Sequence, residues 1–195
     1  GGDKIMQDVT KKNFSEHLEI ISTLLESGSD SIKLFGELLA NCLQQNGTIF
    51  WCGNGGSASD SQHLAAELVG RFKKDRRALK SIALTTDSSI LTSVANDYGF
   101  EDIFSRQLDA LGSSGDILVG ITTSGNSENI LKALQAAKNL GIISILLTGK
   151  DGGKAKQIAD HSLVVGSDST ARIQEAHILI GHILCDLIEE KLQLV

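Results

Sequence analysis

The chain has 195 residues, 41% of them hydrophobic, which fits a domain large enough to bury a substantial core and excludes a disordered polymer. Lys and Arg number 18 against 24 Asp and Glu, and the net charge of −6 argues against broad nucleic-acid binding. No apolar run approaches the roughly 18 residues needed to span a bilayer, and no basic stretch leads an apolar core, so a cytoplasmic protein with no membrane partner is expected. Gly1-Gly2 reads as an expression scar and is set aside. Cys42, Cys52 and Cys185 form no C-x-x-C pair and read as buried free thiols.

Phe14, Leu18, Ile21, Leu24 and Leu25 recur at helical spacing and predict a helix over residues 3–27. Ser29 or Asp30 can cap a second helix running through Ile32, Phe35, Leu38, Leu39 and Leu43 to Gly47. Both helices are more apolar than a lone surface pair needs, which points to packing against another copy. Beyond them, short apolar runs at 48–52, 81–84, 117–121, 142–147 and 162–165 alternate with helical stretches at 58–72, 88–96, 101–111, 127–140 and 152–159. A last helix is expected over about 170–193. The runs at 117–121 and 142–147 are apolar on both faces, as strands between two helix layers are. The expected fold is α/β: a doubly wound five-stranded parallel sheet flanked by helices, with an N-terminal helical pair. It is read as a single domain over 3–195, with the helical pair at 3–46 and the α/β core at 47–195. The one basic cluster, Arg71 to Arg77, reads as a solvated loop, with a contact to a partner or an acidic surface as the alternative.

Two loops between an expected strand and an expected helix carry the chemistry. Gly53-Asn54-Gly55-Gly56-Ser57-Ala58-Ser59-Asp60 offers glycines for close backbone approach, and hydroxyls and free N–H groups where a helix begins. Thr122-Thr123-Ser124-Gly125-Asn126-Ser127 places four hydroxyls in six residues at a second helix start. One cap at Ser127 would account for an ordinary turn, but four hydroxyls exceed that need and can surround a phosphate without a cation. The first loop lacks the third glycine of a dinucleotide fingerprint and the G-K-[ST] of a P-loop, so a nucleotide cofactor is not expected. In a parallel sheet both loops lie at the carboxyl ends of strands, where ligands bind.

Cys52-Gly53-Asn54-Gly55-Gly56-Ser57, with His63 and Glu67 following, resembles the phosphosugar-binding (SIS) domain of sugar isomerases, as does Thr123-Ser124-Gly125-Asn126-Ser127. More narrowly, Asn96-Asp97-Tyr98-Gly99-Phe100, Thr148-Gly149-Lys150-Asp151-Gly152-Gly153 and Arg172-Ile173-Gln174-Glu175 resemble the phosphoheptose isomerase family. The resemblance runs from about residue 35 to the C-terminus with the motifs in order. It implies an aldose–ketose isomerase that converts D-sedoheptulose 7-phosphate to D-glycero-D-manno-heptose 7-phosphate, the first step of activated-heptose supply for lipopolysaccharide or capsule. It also implies one zinc ion per site; self-association as a homotetramer, with sites at subunit interfaces, is expected as well. The implied zinc ligands are His63, Glu67, Gln174 and His182. Glu67 is the implied catalytic base and His182 the acid/base. Asn54, Gly55, Gly56, Ser57, Glu67, Asn96, Asp97, Thr122, Thr123, Ser124, Ser127 and Gln174 are the implied substrate-binding residues.

Geometry qualifies this set. His63 and Glu67 are four apart, so a helix brings them to one side. Gln174 and His182 are eight apart, about 12 Å of rise and about 80° of rotation, an awkward spacing for two ligands of one metal. Drawing the ligands from different copies of the chain is physically easier. His177 and Glu175 compete with Gln174 and His182 on geometry alone, whereas His17 and His161 read as surface or satisfied core histidines. Some members of the family carry an acidic residue where this chain has Ala171; if that carboxylate serves the chemistry, Asp168 is the replacement on offer. The competing functional class is a non-catalytic phosphosugar-binding regulator, which would keep the loops and lose the acid–base residues. An isomerase for a shorter ketose phosphate is a third reading.

Overall fold

The computed structural model describes residues 1–193; Leu194 and Val195, the end of the expected domain, lie outside the described residues. The chain opens with α1 (Gly2–Ser27) and α2 (Ser29–Gln44). Strands β1 (Ile49–Gly53), β2 (Ser81–Ala83), β3 (Ile117–Ile121), β4 (Ile143–Gly149) and β5 (His161–Val165) follow, as expected from the five apolar runs. Between and after them lie α3 (Gly56–Val69), α4 (Ser88–Asp97), α5 (Ser105–Leu111), α6 (Glu128–Leu140), α7 (Ala155–Ile158) and α8 (Thr170–Leu192). The helix expected over 101–111 is split: a 3-10 turn at Phe100–Asp102 precedes α5. Neither Ser29 nor Asp30 caps α2. Gly28 holds helical dihedrals there, so α1 and α2 nearly merge, and the Ser29 hydroxyl donates back to the Leu25 carbonyl instead.

All strands are parallel, in the order β2-β1-β3-β4-β5. Alternate side chains of each central strand enter separate cores. Ile49 and Trp51 of β1, with Val119 and Ile145, pack under α2, α3 and α8. Phe50 and Cys52, with Leu118 and Leu146, pack under α5 and α6. That two-sided burial is why β1 and β3 read as unbroken apolar runs. Cys42, Cys52 and Cys185 are all buried free thiols. Among the described residues no helix is long and apolar enough to cross a membrane.

His177, on the inner face of α8, is wholly buried, and its ring N–H donates to the Thr148 carbonyl at the end of β4, at 2.9 Å. Burial pushes its pKa from the ordinary 6.5 down to about 4, against the opposing pull of that hydrogen bond. The unfolded chain therefore takes up a proton below pH 6.5 that the folded chain refuses until about pH 4. Stability contributed by neutral His177 is lost as pH falls through that window, by on the order of 3 kcal/mol. The urea midpoint of metal-free protein is expected to drop between pH 7 and pH 4.5. In His177→Asn the midpoint should start lower and fall less steeply. An equal slope in both proteins would assign the acid sensitivity to other groups.

Candidate active site

β1 and β3 are adjacent while the chain leaves them toward opposite sides of the sheet, so the strand order reverses between them. Such a switch point opens a crevice at the carboxyl ends of the strands. The loop after β1 leads into α3 and the loop after β3 leads into α6, so two helix N-termini face one crevice. Asn54 and Asn129 lock them together by two reciprocal amide hydrogen bonds of 2.9 Å.

The hydroxyls of the second loop divide into two groups. Thr122 Oγ1 accepts from the Gly125 N–H and Ser124 Oγ from the Asn126 N–H, each at 3.1 Å, so these two shape the turn. Ser127 sits at the cap position of α6 without making the cap bond, which leaves its hydroxyl for a ligand. Gly125 has φ +70°, and a Cβ there would lie 2.1 Å from the Gly152 carbonyl oxygen. The loop at 150–154 backs it: the Lys154 N–H donates to Asn126 Oδ1 at 3.0 Å and the Ala155 N–H to the Gly125 carbonyl at 2.9 Å. Asn96 and Asp97, exposed at the end of α4, hydrogen-bond to each other at 3.0 Å.

A second group assembles farther down α3. His63 and Glu67 share one face of α3, and His182 reaches them from α8. The three offer ligand atoms within 4.8 Å of one another. His182 Nε2 lies 3.2 Å from Glu67 Oε2, and His63 Nε2 lies 3.8 Å from the same oxygen. Gly181 allows the approach, because a Cβ there would sit 2.5 Å from the Leu64 side chain on α3. His182 Nε2 is buried without a hydrogen-bond partner. Two imidazoles and a carboxylate, one of them presenting a buried orphan nitrogen, make a donor set suited to a divalent transition metal. Gln174 stands apart. Its side chain lies against Gly56, where a Cβ would meet Nε2 at 2.6 Å, so within one chain it belongs to the loop end of α3.

The segment after α3 corrects the reading of the basic cluster. The expected helix stops at Val69 rather than residue 72, and Arg76 folds back over its end. Its guanidinium donates to the carbonyls of Glu67 (2.8 Å), Leu68 (2.9 Å) and Gly70 (3.1 Å), satisfying groups a helix end leaves open, and to that of Arg77 (3.1 Å) next to it. Its Nε pairs with Glu189 at 2.8 Å, and both side chains are wholly buried. Glu189 also accepts the N–H groups of Phe72, Lys73 and Lys74 at 3.3, 2.9 and 3.1 Å. Burial alone would raise the Glu189 carboxyl, but these N–H donors and the guanidinium outweigh it and hold the pKa below the usual carboxylate value. Lys73 and Lys74 pair with Asp186 and Glu190 on α8. Residues 70–77 are thus a strap tied to α8, and the Phe72 ring lies stacked on His182, centroids 5.4 Å apart at 18°.

The competing residues fall elsewhere. His177 is buried under β4, and Glu175 pairs with Arg172 and with His17 Nδ1 at 2.8 Å, fastening α1 to α8. His161 is half-buried and packs edge-to-face with the Phe35 ring, and Asp168 is exposed ahead of α8. Asp60 was not among the expected residues. It shares the face of α3 with Gly56, His63 and Glu67; burial raises its pKa from 3.8 to about 6 against the pull of His63, and its Oδ2 has no partner. Its place in the first loop was visible in the sequence, but its orphaned oxygen was not.

Residues 13–149 match the family model for the SIS domain. The chain is 54% identical to phosphoheptose isomerase 1 of Campylobacter jejuni, over 95% of this chain and 99% of that one. It is 52% identical to a phosphoheptose isomerase of Helicobacter pylori strain P12, over 95% and 96%. The solved structure of a phosphoheptose isomerase from Francisella tularensis superposes with TM-score 0.92 at 39% identity, covering 95% of this chain and 98% of that one. The chain belongs to the SIS domain family and, within it, to the phosphoheptose isomerases.

Replacing Gly125 by Ala should force the loop off Gly152, with a loss of roughly 2–4 kcal/mol in stability. Binding of a sugar phosphate should weaken with it, whereas the His63–Glu67–His182 group should keep its metal affinity. Calorimetric titration with a sugar phosphate and, separately, with zinc would check this. Unchanged sugar-phosphate binding would dissociate the loop from the ligand.

Proposed function

We propose that residues 3–195 act as one SIS domain that interconverts D-sedoheptulose 7-phosphate and D-glycero-D-manno-heptose 7-phosphate. The observation that carries this is the convergence of His63, Glu67 and His182, in a chain more than half identical to phosphoheptose isomerases over 95% of its length. The product would enter activated-heptose synthesis for a bacterial surface polysaccharide.

Ketose–aldose interconversion moves a proton between C1 and C2 and a second proton between their oxygens. Glu67 takes the carbon-bound proton, and His182, beside it, exchanges protons with the oxygens. Thr123, Ser127 and the open N–H groups of α6 hold the phosphate, with Thr122 and Ser124 keeping their loop in shape. Asn54, Gly55, Gly56 and Ser57 shape the sugar pocket from the α3 side, with Gln174 beside Gly56. Asn96 and Asp97 are assigned to sugar hydroxyls. Binding energy gathered at the phosphate orients the reacting end. His63, Glu67 and His182 would hold a zinc ion, which supplies Lewis-acid polarisation of the substrate carbonyl.

The distances support a site shared between copies. Eleven residues, about 16 Å of rise, separate Gly56 from Glu67, and side chains leaning toward the helix N-terminus recover only part of that. A phosphate anchored by one copy's loops meets an acid–base pair more easily if the pair comes from its neighbour. Gln174, at the loop end within its own chain, would complete the zinc ligands only across such a contact. Exposed Phe14 and Leu18 on α1 and Leu179 and Ile183 on α8 offer apolar surface for self-association. We therefore assign a self-associated protein with sites at its subunit interfaces, and carry over a cytoplasmic homotetramer as the proposed assembly.

Incubation with sedoheptulose 7-phosphate should give an aldoheptose 7-phosphate with zinc present and none after chelation. Failure to form product in zinc-replete protein would favour a non-catalytic phosphosugar-binding regulator. Glu67→Gln should lower kcat by about 10²–10⁴-fold and leave phosphosugar affinity nearly intact. Normal turnover in that variant would remove Glu67 from the chemistry. A variant that sediments as a monomer and keeps full activity would sink the shared site.

A further inference from the structure

We propose that Phe72 is a positioning residue for His182, held in place by the buried Glu189–Arg76 pair; this rests on the assignment of His182 above. Residues 70–77 have no regular secondary structure, yet one carboxylate, wholly buried, takes three successive backbone N–H groups of this strap, including that of Phe72 itself. Phe72 is therefore fixed at its own backbone. Glu189 stands seven residues after His182 on α8, two turns along nearly the same face. The helix that carries the imidazole thus also carries the anchor for the ring laid upon it.

The stacked geometry specifies what is restrained. With the ring planes 18° apart, Phe72 covers one face of the imidazole and leaves its edge nitrogens free. His63 meets the same ring edge-on, centroids 4.8 Å apart at 80°. An imidazole packed against a parallel ring and a perpendicular one cannot turn about its own bond to the chain without a clash, so Nε2 stays beside Glu67, 3.2 Å from its Oε2. The side chain of His182 is 32% exposed, so without Phe72 it would face solvent and rotate. Arg76 completes the link: the guanidinium that fixes the strap also holds the Glu67 carbonyl at 2.8 Å. One buried ion pair therefore sets both members of the acid–base pair. A buried pair of charges is weak evidence for stability as such, whereas fixing a register is the use for which it is best attested.

The test compares Phe72→Ala, Phe72→Leu and Phe72→Tyr with the parent chain, measuring zinc affinity by competition with a chromophoric chelator. The alanine variant is expected to bind zinc about 10-fold more weakly, and the leucine variant, which restores bulk without a flat face, to fall within about 3-fold of it. The tyrosine variant, which restores the flat face, should match the parent. With sedoheptulose 7-phosphate, kcat should follow the same order while KM moves by less than about 2-fold. Parent-like zinc affinity in the alanine or leucine variant overturns the proposal, as does a tyrosine variant as weak as the alanine one. Should alanine prevent folding, the leucine and tyrosine pair decides alone. A parent chain that binds zinc but does not turn over the sugar refutes the functional reading, and the zinc series still decides the role of Phe72.

Discussion

Arg76 and Glu189 face each other at 2.8 Å with no exposed side-chain surface, and taking two such charges out of water costs several kcal/mol per ion before their attraction is counted. That cost is offset only if every remaining donor and acceptor is used, and here the set is nearly complete. The guanidinium reaches four carbonyls and the carboxylate three N–H groups. The pair closes the C-terminus of α3, where the helix dipole favours a cation, and ties that end to α8. Because His63 and Glu67 lie on α3 and His182 on α8, the relative register of these helices decides whether the three side chains meet. Gly181 supplies the close approach and the ion pair supplies the lengthwise alignment.

The strand order supplies the other half of the site. Placing β1 beside β3 sends their following helices to opposite faces of the sheet and leaves a crevice between the two loops. The reciprocal Asn54–Asn129 bonds then fix the loop that opens α3 against the first turn of α6. Glycines at 125 and 153, both at positive φ, let two loops touch backbone to backbone where side chains would have forced them apart. For the proposed phosphate site, such an arrangement needs no lysine or arginine, and its donors are held in place before a ligand arrives.

Much of this was legible in the sequence because it follows from short-range pattern. Strands buried on both faces give continuous apolar runs, and all five were found within a residue or two. The four-residue spacing of His63 and Glu67 shows their shared face without further knowledge. What escaped detection depends on distant partners. Arg71 to Arg77 looked like a solvated basic loop, since the carboxylate that fixes it lies 113 residues away from Arg76. The end of α3 was placed three residues late for the same reason: the group that closes it arrives from outside the helix. His177 and His182 are alike in the sequence, but five residues turn a helix by about 140°, so one faces the sheet and the other the site. Only the family resemblance separated them beforehand. Two of the four hydroxyls of the second loop turned out to hold the loop itself, a division that composition cannot reveal.

The two halves of the site differ in how they are held, and the difference follows from what each must do. The end proposed to hold the phosphate is backbone: N–H groups, glycines and hydroxyls whose positions are fixed by φ, ψ and short hydrogen bonds. A phosphate is the same anion in substrate, intermediate and product, so a rigid cradle suits all three. The proposed acid–base end is made of side chains, those of His63 and Glu67 being 52% and 23% exposed. Groups that exchange protons must change charge during the reaction and need access to the substrate, so they cannot be buried and saturated with hydrogen bonds as Arg76 and Glu189 are. Their precision has to come from what surrounds them. Buried charge is placed one layer behind the chemistry, where it never changes state, and it acts on the reacting groups through a backbone carbonyl on one side and an aromatic ring on the other.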